Sequence, residues 1–168
     1  MGEGLGMVDK WGTVSIVGFP LISPIGSLLI EATDEHIVSV RFSEDTYIDP
    51  SSLHFSSCFT EEIHSYFCGT LKQFSRFPLF LQGTPFQRSV WAAVQRIPHG
   101  KTATYKEIAE VIGHPKAVRA VGSAVGKNPF ALLIPCHRVV PSGNRGYGMY
   151  AWGKWRKEWL LGHEISQE

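Results

Sequence analysis

Cys136 is the residue of this sequence best placed to act as a nucleophile. It stands between Pro135 and His137, at the end of the apolar run 130–134. A free thiol has a reference pKa of about 8.5 and is mostly protonated at neutral pH. A neighbouring imidazole can accept that proton, directly or through a water molecule, and leave a reactive thiolate. The dipeptide alone also fits a buried structural cysteine, since free cysteine is often found in protein cores.

A long cation among small residues is the second chemical feature. Arg119 lies early in a predicted helix and is followed by Ala120, Gly122, Ser123 and Ala124. Small side chains let a helix come close to a sugar–phosphate backbone, and an arginine among them can reach into a groove. The same residues also fit a solvated arginine beside a face that packs on another helix.

Three polar residues lie near these two features in the sequence. Tyr105 begins a predicted helix, where its phenol can pack between helices or contact a phosphate or a leaving group. Asn128 is typical of a turn. Glu158 lies among tryptophan and leucine residues, so we expect a semi-buried carboxylate that needs a partner, and His137 could supply one. Position alone leaves a structural role open for all three.

A metal site is the alternative chemistry in the first half of the chain. His64 and Cys68 are four residues apart on a predicted helix, and Cys58 is nearby. Structural zinc normally has four such ligands. Since no fourth ligand is apparent, we predict neither a metal nor a cofactor.

The elements that position these residues differ between the two halves. Apolar and β-branched patterns predict strands at 13–19, 28–32 and 37–42, with a turn at 33–36, and then a helix at 59–74. Residues 77–83 are predicted to be a linker. Helical periodicity then predicts helices at 86–97, 105–112, 116–126 and 154–162.

A helix-turn-helix is predicted in the second half. Thr104 and Glu107 form a capping-box pattern at the start of helix 105–112. Gly113-His114-Pro115 separates that helix from helix 116–126, as in a helix-turn-helix of winged-helix type. We therefore predict an α+β protein with an N-terminal sheet-and-helix domain, residues 1–82, and a mostly helical C-terminal domain, residues 83–168.

Charge divides the chain at the same boundary. Residues 1–82 hold 4 lysines and arginines against 10 aspartates and glutamates, a net charge of −6. Residues 83–168 hold 12 against 5, a net charge of +7, which favours a polyanionic partner for that half. No apolar run approaches the roughly 20 residues of a membrane span, so we expect no membrane partner. Three cysteines without a pairing pattern, and a start without a secretion signal, predict a cytoplasmic protein.

Together these motifs resemble the O6-alkylguanine-DNA alkyltransferases, also called methylated-DNA–protein-cysteine methyltransferases. The segment 134–140, Ile-Pro-Cys-His-Arg-Val-Val, resembles the nucleophile motif of that family at every position. Five further segments resemble the other family motifs and occur in the same order. They are residues 83–87 together with Val90 and Trp91, residues 97–102 together with Tyr105, and residues 119–122, 128–129 and 156–161. The resemblance covers residues 80–164, and extends loosely to 23–26 and 66–69. Several independent motifs in a fixed order argue against chance agreement.

The resemblance implies a catalytic role for five residues. Cys136 would accept the alkyl group, His137 would be its water-mediated base, and Glu158 would orient that histidine. Asn128 would order the turn that presents the cysteine. Tyr105 would press on a phosphate and assist the departure of the base.

The resemblance also implies a DNA face and a base pocket. Arg119 would enter the duplex from the minor groove, in place of an extruded guanine. Gly122, Ser123 and Lys127 would contact the DNA backbone. The guanine pocket would be lined by Val139, Tyr150, Ala151 and Trp152. Trp152 stands where many members carry a smaller residue, and it would narrow or shield the pocket.

The resulting hypothesis is repair of double-stranded DNA by direct reversal. The alkyl group of O6-alkylguanine, with O4-alkylthymine as a second candidate substrate, would move to Cys136 once per chain, in a monomeric protein. Enzymes that act on a stacked base must first extrude it, at a cost of a few kcal/mol. Contacts to the backbone carry no sequence information, which suits repair at any site.

Two other functions remain open at this point. A helix-turn-helix binding module without chemistry would explain the basic half, Arg119 and Tyr105, but not the Pro-Cys-His segment. A Cys-His hydrolase would explain that segment, but it would need an oxyanion hole and would leave the basic helices unexplained.

Overall fold

The computed structural model describes residues 17–33, 35–44, 57–143 and 146–167. The strands are β1 (Val17–Ser23), β2 (Gly26–Ala32), β3 (Ile37–Ser43), β4 (Ala103–Thr104) and β5 (Val139–Val140). The helices are α1 (Ser57–Phe67), α2 (Pro85–Gln95), α3 (Tyr105–Val111), α4 (Val118–Gly126) and α5 (Lys154–Ile165). This α+β architecture confirms the predicted fold class. Residues 13–16 of the first predicted strand lie outside the described residues.

An antiparallel sheet in the order β1-β2-β3 occupies the first half. Successive side chains of a strand point to opposite faces. Accordingly Leu28, Ile30 and Ala32 of β2 are buried, while Glu31 points to the other face and pairs with Arg41 of β3 at 2.8 Å. The sheet therefore offers one apolar face to the rest of the chain.

Helix α1 ends seven residues earlier than predicted. Gly69 adopts a φ of +79°, a conformation that costs other residues energy. Its N–H donates to Tyr66 O at 3.0 Å, and the Thr70 N–H donates to Ser65 O at 2.9 Å. These two bonds form a Schellman cap, which terminates a helix. The prediction of a helix to residue 74 is wrong for this reason.

Helices α2, α3 and α4 pack against one another in the second half. Capping boxes start both α2, from Thr84 and Gln87, and α3, from Thr104 and Glu107. The indole N–H of Trp91 donates to Ala124 O at 2.9 Å and ties α2 to α4. Residues 112–117 connect α3 to α4, where the helix-turn-helix was predicted.

The two halves share a single cluster of buried apolar residues. Phe59 and Tyr66 of α1 belong to the same cluster as Val90, Phe130 and Leu160. Backbone hydrogen bonds also join the halves, from Val40 N to Pro129 O at 2.9 Å and from Ala131 N to Val40 O at 2.7 Å. The sheet therefore supports the segment that leads to Cys136. Among the described residues, no helix combines the length and apolar character that a membrane crossing requires.

Candidate active site

Cys136 opens a single 3-10 turn, Cys136–Arg138, at the end of a sharply folded segment. Leu132 in this segment has a φ of +68°, the one positive value among the described residues other than glycine. Asn128 holds the fold together: its Nδ2 donates to Ile134 O at 2.8 Å, and its Oδ1 accepts from Phe130 N at 2.9 Å. A side-chain amide can serve both ends of a turn in this way because it carries a donor and an acceptor.

The thiol of Cys136 is buried and polarised. Its residue is only 2% exposed, and the Nδ2 of Asn128 donates to Sγ at 3.0 Å. Burial raises the pKa of this thiol to about 11, although Asn128, the charge of Lys157 and the hydroxyl of Tyr150 oppose the rise. At neutral pH the resting group is a thiol, so a base must remove its proton before it can act as a nucleophile.

His137 is the base adjacent to this thiol. Its imidazole is fully buried, and Nε2 lies 2.7 Å from Oε1 of Glu164. Because a carboxylate only accepts hydrogen bonds, Nε2 carries the ring proton, and Nδ1 keeps its lone pair. No described residue contacts that Nδ1 by a hydrogen bond. Burial lowers the pKa of His137 against the opposing effect of Glu164, so the ring is neutral at rest and able to accept a proton.

Glu164, and not Glu158, is the carboxylate that orients His137. Glu158 is on the outer face of α5, where its side chain is 44% exposed and lies 3.5 Å from Lys154. Helix α5 continues past Gly162 to Ile165, which brings Glu164 to the inner face together with Leu160 and Leu161. The assignment of Glu158 was therefore wrong. The spacing from Leu160 and Leu161 to Glu164 was the signal that could have corrected it.

Glu164 is surrounded by donors. Oε1 accepts from His137, from the hydroxyl of Tyr66 at 2.7 Å and from Nη2 of Arg138 at 2.9 Å. Oε2 accepts from Nε of Arg138 at 2.9 Å and from the N–H of Gly100 at 3.1 Å. Burial alone would raise the pKa of this carboxyl, but the hydrogen bonds and charges of His137 and Arg138 hold it well below its usual range. Glu164 is therefore ionised. The roles of Glu164, Tyr66 and Arg138 were not predicted from the sequence.

Of the predicted pocket residues, Tyr150 interacts with the Cys136 thiol through its hydroxyl. Val139 and Tyr150 are buried, Trp152 is half-buried and Ala151 is exposed. The ring of Trp152 meets the ring of Tyr150 edge-on at 5.2 Å, and meets Phe42 of β3 at 6.2 Å. Trp152 therefore lies between Tyr150 and the sheet.

Two buried cations of α5, Arg156 and Lys157, hold the loop before that helix in place. Neither role was predicted from the sequence. Nζ of Lys157 donates to Val139 O at 2.6 Å and to Met149 O at 3.2 Å, which joins β5 to the loop before α5. Burial lowers the pKa of Lys157 to about 8, with Cys136 opposing. Arg156 donates to Trp152 O at 2.7 Å and also to Ile25 O at 2.8 Å. The loop before α5 is thus fixed both to β5 and to the N-terminal sheet.

The predicted DNA-contacting residues lie along α4. Arg119, Ser123 and Lys127 are exposed, and Gly122 is half-buried beneath Tyr105. A Cβ atom added at Gly122 would lie 3.9 Å from the Tyr105 ring. Burial raises the pKa of Tyr105, and the nearby Cys136 adds to this rise.

The pair considered as metal ligands, His64 and Cys68, is exposed at the end of α1. Sγ of Cys68 lies 3.6 Å from Nδ1 of His64, and Cys58 is exposed as well. Within the described part of the chain, no three histidine, cysteine, aspartate or glutamate side chains are grouped as a metal site would require.

Comparison with known proteins places this geometry in context. The family model for the DNA-binding domain of 6-O-methylguanine DNA methyltransferase matches residues 85–166. A methylated-DNA–protein-cysteine methyltransferase of Mycolicibacterium paratuberculosis is 42% identical over 148 residues, which covers 84% of this chain and 88% of that protein. The crystal structure of Mycobacterium tuberculosis O6-methylguanine methyltransferase is 38% identical and has a TM-score of 0.79, with 92% of this chain and 95% of that chain covered. The Mycobacterium tuberculosis OGT in complex with DNA is 39% identical, with a TM-score of 0.79 and coverage of 89% and 93%.

Replacing each glutamate by glutamine separates the two candidates. Glu164→Gln should lower the free energy of unfolding by about 3 kcal/mol, because the buried Arg138 loses its charged partner. Glu158→Gln should change it by less than about 0.5 kcal/mol, since the Lys154 pair is exposed. Urea unfolding at pH 7 measures both.

The pH dependence of the same variants provides a second check. A carboxyl whose pKa is lower in the folded state stabilises the protein above its unfolded pKa, and this contribution is lost as the pH falls from about 5. The wild type and Glu158→Gln should therefore lose stability in acid more steeply than Glu164→Gln. Equal slopes would contradict an ionised Glu164.

Proposed function

The chain belongs to the methylated-DNA–protein-cysteine methyltransferase family, and we propose that it repairs DNA by moving the alkyl group of O6-alkylguanine to its own Cys136. The observation that carries this proposal is a pair of buried contacts at adjacent residues: Asn128 donates to the thiol of Cys136, and His137 lies against Glu164. A buried thiol, a neutral imidazole beside it and an ionised carboxylate behind the imidazole are the parts of an activated sulfur nucleophile.

The proposed transfer begins with a proton. His137 takes the Cys136 proton at Nδ1, through a bridging water molecule, while Glu164 stabilises the imidazolium that forms. The thiolate, which accepts the hydrogen bond from Asn128, attacks the alkyl carbon. The S–C bond forms as the C–O6 bond breaks, and the electron pair of that bond leaves with the guanine.

The departing guanine needs a proton to become a neutral base, and Tyr105 is proposed to assist. Its pKa is raised by burial and by Cys136, so the phenol is protonated near neutral pH and can donate a hydrogen bond. The product on Cys136 is a thioether. No thiolate remains to act again, so each chain transfers one group.

The duplex is proposed to lie along α4. Arg119, which is exposed, would take the place of the extruded nucleotide, with Gly122, Ser123 and Lys127 near the backbone. The net charge of +7 over residues 83–168 supports contacts to phosphates. Extrusion costs a few kcal/mol, least for a weakly paired damaged base, which favours the alkylated guanine.

The remaining assignments are part of the same proposal. The extruded base would lie among Val139, Tyr150, Ala151 and Trp152, and O4-alkylthymine is a second candidate for this pocket. The protein is proposed to act as a monomer. A division at residues 82 and 83, between the acidic and basic halves, and a cytoplasmic location, which suits three free cysteines, are likewise proposed.

The intact mass of the protein tests the transfer directly. After mixing with a duplex that carries one O6-methylguanine, the wild type should gain one methyl group in place of a hydrogen, on Cys136, and no more than one per chain. Cys136→Ser should bind the duplex and gain nothing, because a serine hydroxyl is far less acidic than a thiol. An unchanged wild-type mass with the DNA still bound would instead indicate a binding module, and continued turnover would indicate a hydrolase.

Replacing Arg119 tests the extrusion step. Arg119→Ala should slow transfer from duplex DNA by about tenfold or more, because the unstacked gap left by a flipped base would stay unfilled. Transfer from the free base O6-methylguanine, which needs no extrusion, should be unchanged. Lys116→Ala, which removes another exposed cation beside α4, is the matched control and should affect duplex transfer much less. An equal loss of duplex transfer rate in both variants would indicate that Arg119 is only a general phosphate contact.

Trimming Trp152 tests the size of the pocket. Trp152→Ala should accelerate the reaction with O6-benzylguanine by about tenfold, a common effect of enlarging an apolar pocket, while transfer of methyl groups changes little. Trp155→Ala is the control, since Trp155 is exposed on the same segment. Rates of benzyl transfer, followed by mass spectrometry, give the comparison. No gain in Trp152→Ala would place the size limit elsewhere in the pocket.

A further inference from the structure

Tyr66 connects the N-terminal half of the chain to the proposed catalytic residues. It lies near the end of α1, is only 1% exposed, and donates from its hydroxyl to Oε1 of Glu164 at 2.7 Å. We propose that Tyr66 is a positioning residue for the transfer reaction, whose hydrogen bond sets how strongly Glu164 attracts the ring proton of His137. This inference rests on the proposed function and adds to it a residue of the N-terminal half of the chain.

The physical basis is competition for a single oxygen. Oε1 of Glu164 accepts from the Tyr66 hydroxyl, from His137 Nε2 and from Arg138 Nη2. A carboxylate oxygen has about two lone-pair sites, so three donors share its charge. Each donor reduces the negative charge that the other two feel. Removal of the phenol would leave more of that charge to His137 and would stabilise its imidazolium form.

Tyr66 is held in place by contacts unrelated to its hydroxyl. Its ring lies 5.3 Å from Phe74 and 6.1 Å from the ring of His99. Its carbonyl oxygen lies 2.9 Å from Nε2 of His163, the residue before Glu164 on α5. One residue of α1 therefore contacts two successive residues of α5, so the hydroxyl can be removed without freeing the ring.

The phenol is a permanent donor. Burial and the charge of Glu164 raise the pKa of Tyr66 well above its usual value, so its hydroxyl keeps its proton throughout the working range. The titratable and charged groups that face His137 and Glu164 come from every neighbouring element: Cys136, Arg138, Tyr66, His99, Lys157 and His163. Replacement of Tyr66 by phenylalanine removes one donor from this group without changing its net charge.

Tyr66→Phe is the variant that tests the proposal, because it removes only the hydroxyl. We expect the pKa of His137 to rise by about half a unit, which corresponds to a threefold change in the neutral fraction on the acid side. The rate of methyl transfer should then fall about threefold below that pKa and stay within about twofold above it, with the affinity for DNA unchanged. NMR titration of labelled histidine, with the signal assigned by its loss in His137→Gln, measures the pKa in the absence of DNA.

Ile63→Val is the matched control. Ile63 is buried on the same helix, and its truncation should destabilise the protein mildly without touching Glu164. If Tyr66 were merely structural, both variants would slow transfer by the same factor at every pH and would leave the titration of His137 unchanged. That result would overturn the inference.

The two proposals can fail separately. A wild-type protein that transfers no methyl group would refute the proposed function, whereas the titration of His137 in Tyr66→Phe would still decide how the phenol acts on the carboxylate. If the wild type transfers methyl groups normally and the pKa of His137 is unchanged in Tyr66→Phe, the role of Tyr66 is refuted and the proposed function stands.

Discussion

A single buried carboxylate organises the part of this molecule that carries the chemistry. Glu164 accepts hydrogen bonds from the 3-10 turn, from α1 and from the N–H of Gly100 ahead of β4. An ionised group without these donors would be too costly to bury, so the segments that supply them must be in place before the carboxylate can be. Packing of the two halves and orientation of His137 therefore depend on the same hydrogen bonds. These bonds also help to position Cys136, since it directly precedes His137.

The loop that carries Tyr150 and Trp152 depends on a second pair of buried charges. Lys157 joins Val139 to Met149, and Arg156 joins this loop to the sheet through Trp152 O and Ile25 O. These residues are neighbours on α5, but they project to different sides of it. Each cation is satisfied mainly by backbone carbonyls, which fix the path of the chain rather than the identity of side chains. The loop can therefore vary in sequence while the two cations keep its shape.

The sequence predicted the reactive centre far better than its supports. Cys136 with His137, and Asn128 before them, belong to short contiguous segments whose residue types already indicate chemistry. Glu164 was missed because its role depends on where α5 ends, and helix ends are the least certain feature of a periodic pattern. The early end of α1 has the same origin, since the predicted helix continued past Gly69, whereas the Schellman cap at that residue ends the helix. Tyr66, Arg156 and Lys157 act across long separations in the chain, which no local pattern reports.

The face along α4 and the thiol are linked by a very short sheet. Ala103 and Thr104 of β4 pair in parallel with Val139 and Val140 of β5, three residues after Cys136. Thr104 also caps α3, so Tyr105 begins that helix at a fixed distance from the ladder. Its ring then lies over Gly122 of α4, where an added Cβ atom would be in ordinary van der Waals contact at 3.9 Å. In the proposed reaction the thiol must meet a base extruded along α4, which requires a fixed distance between the two, and a two-residue ladder with a capping box sets that distance with few residues.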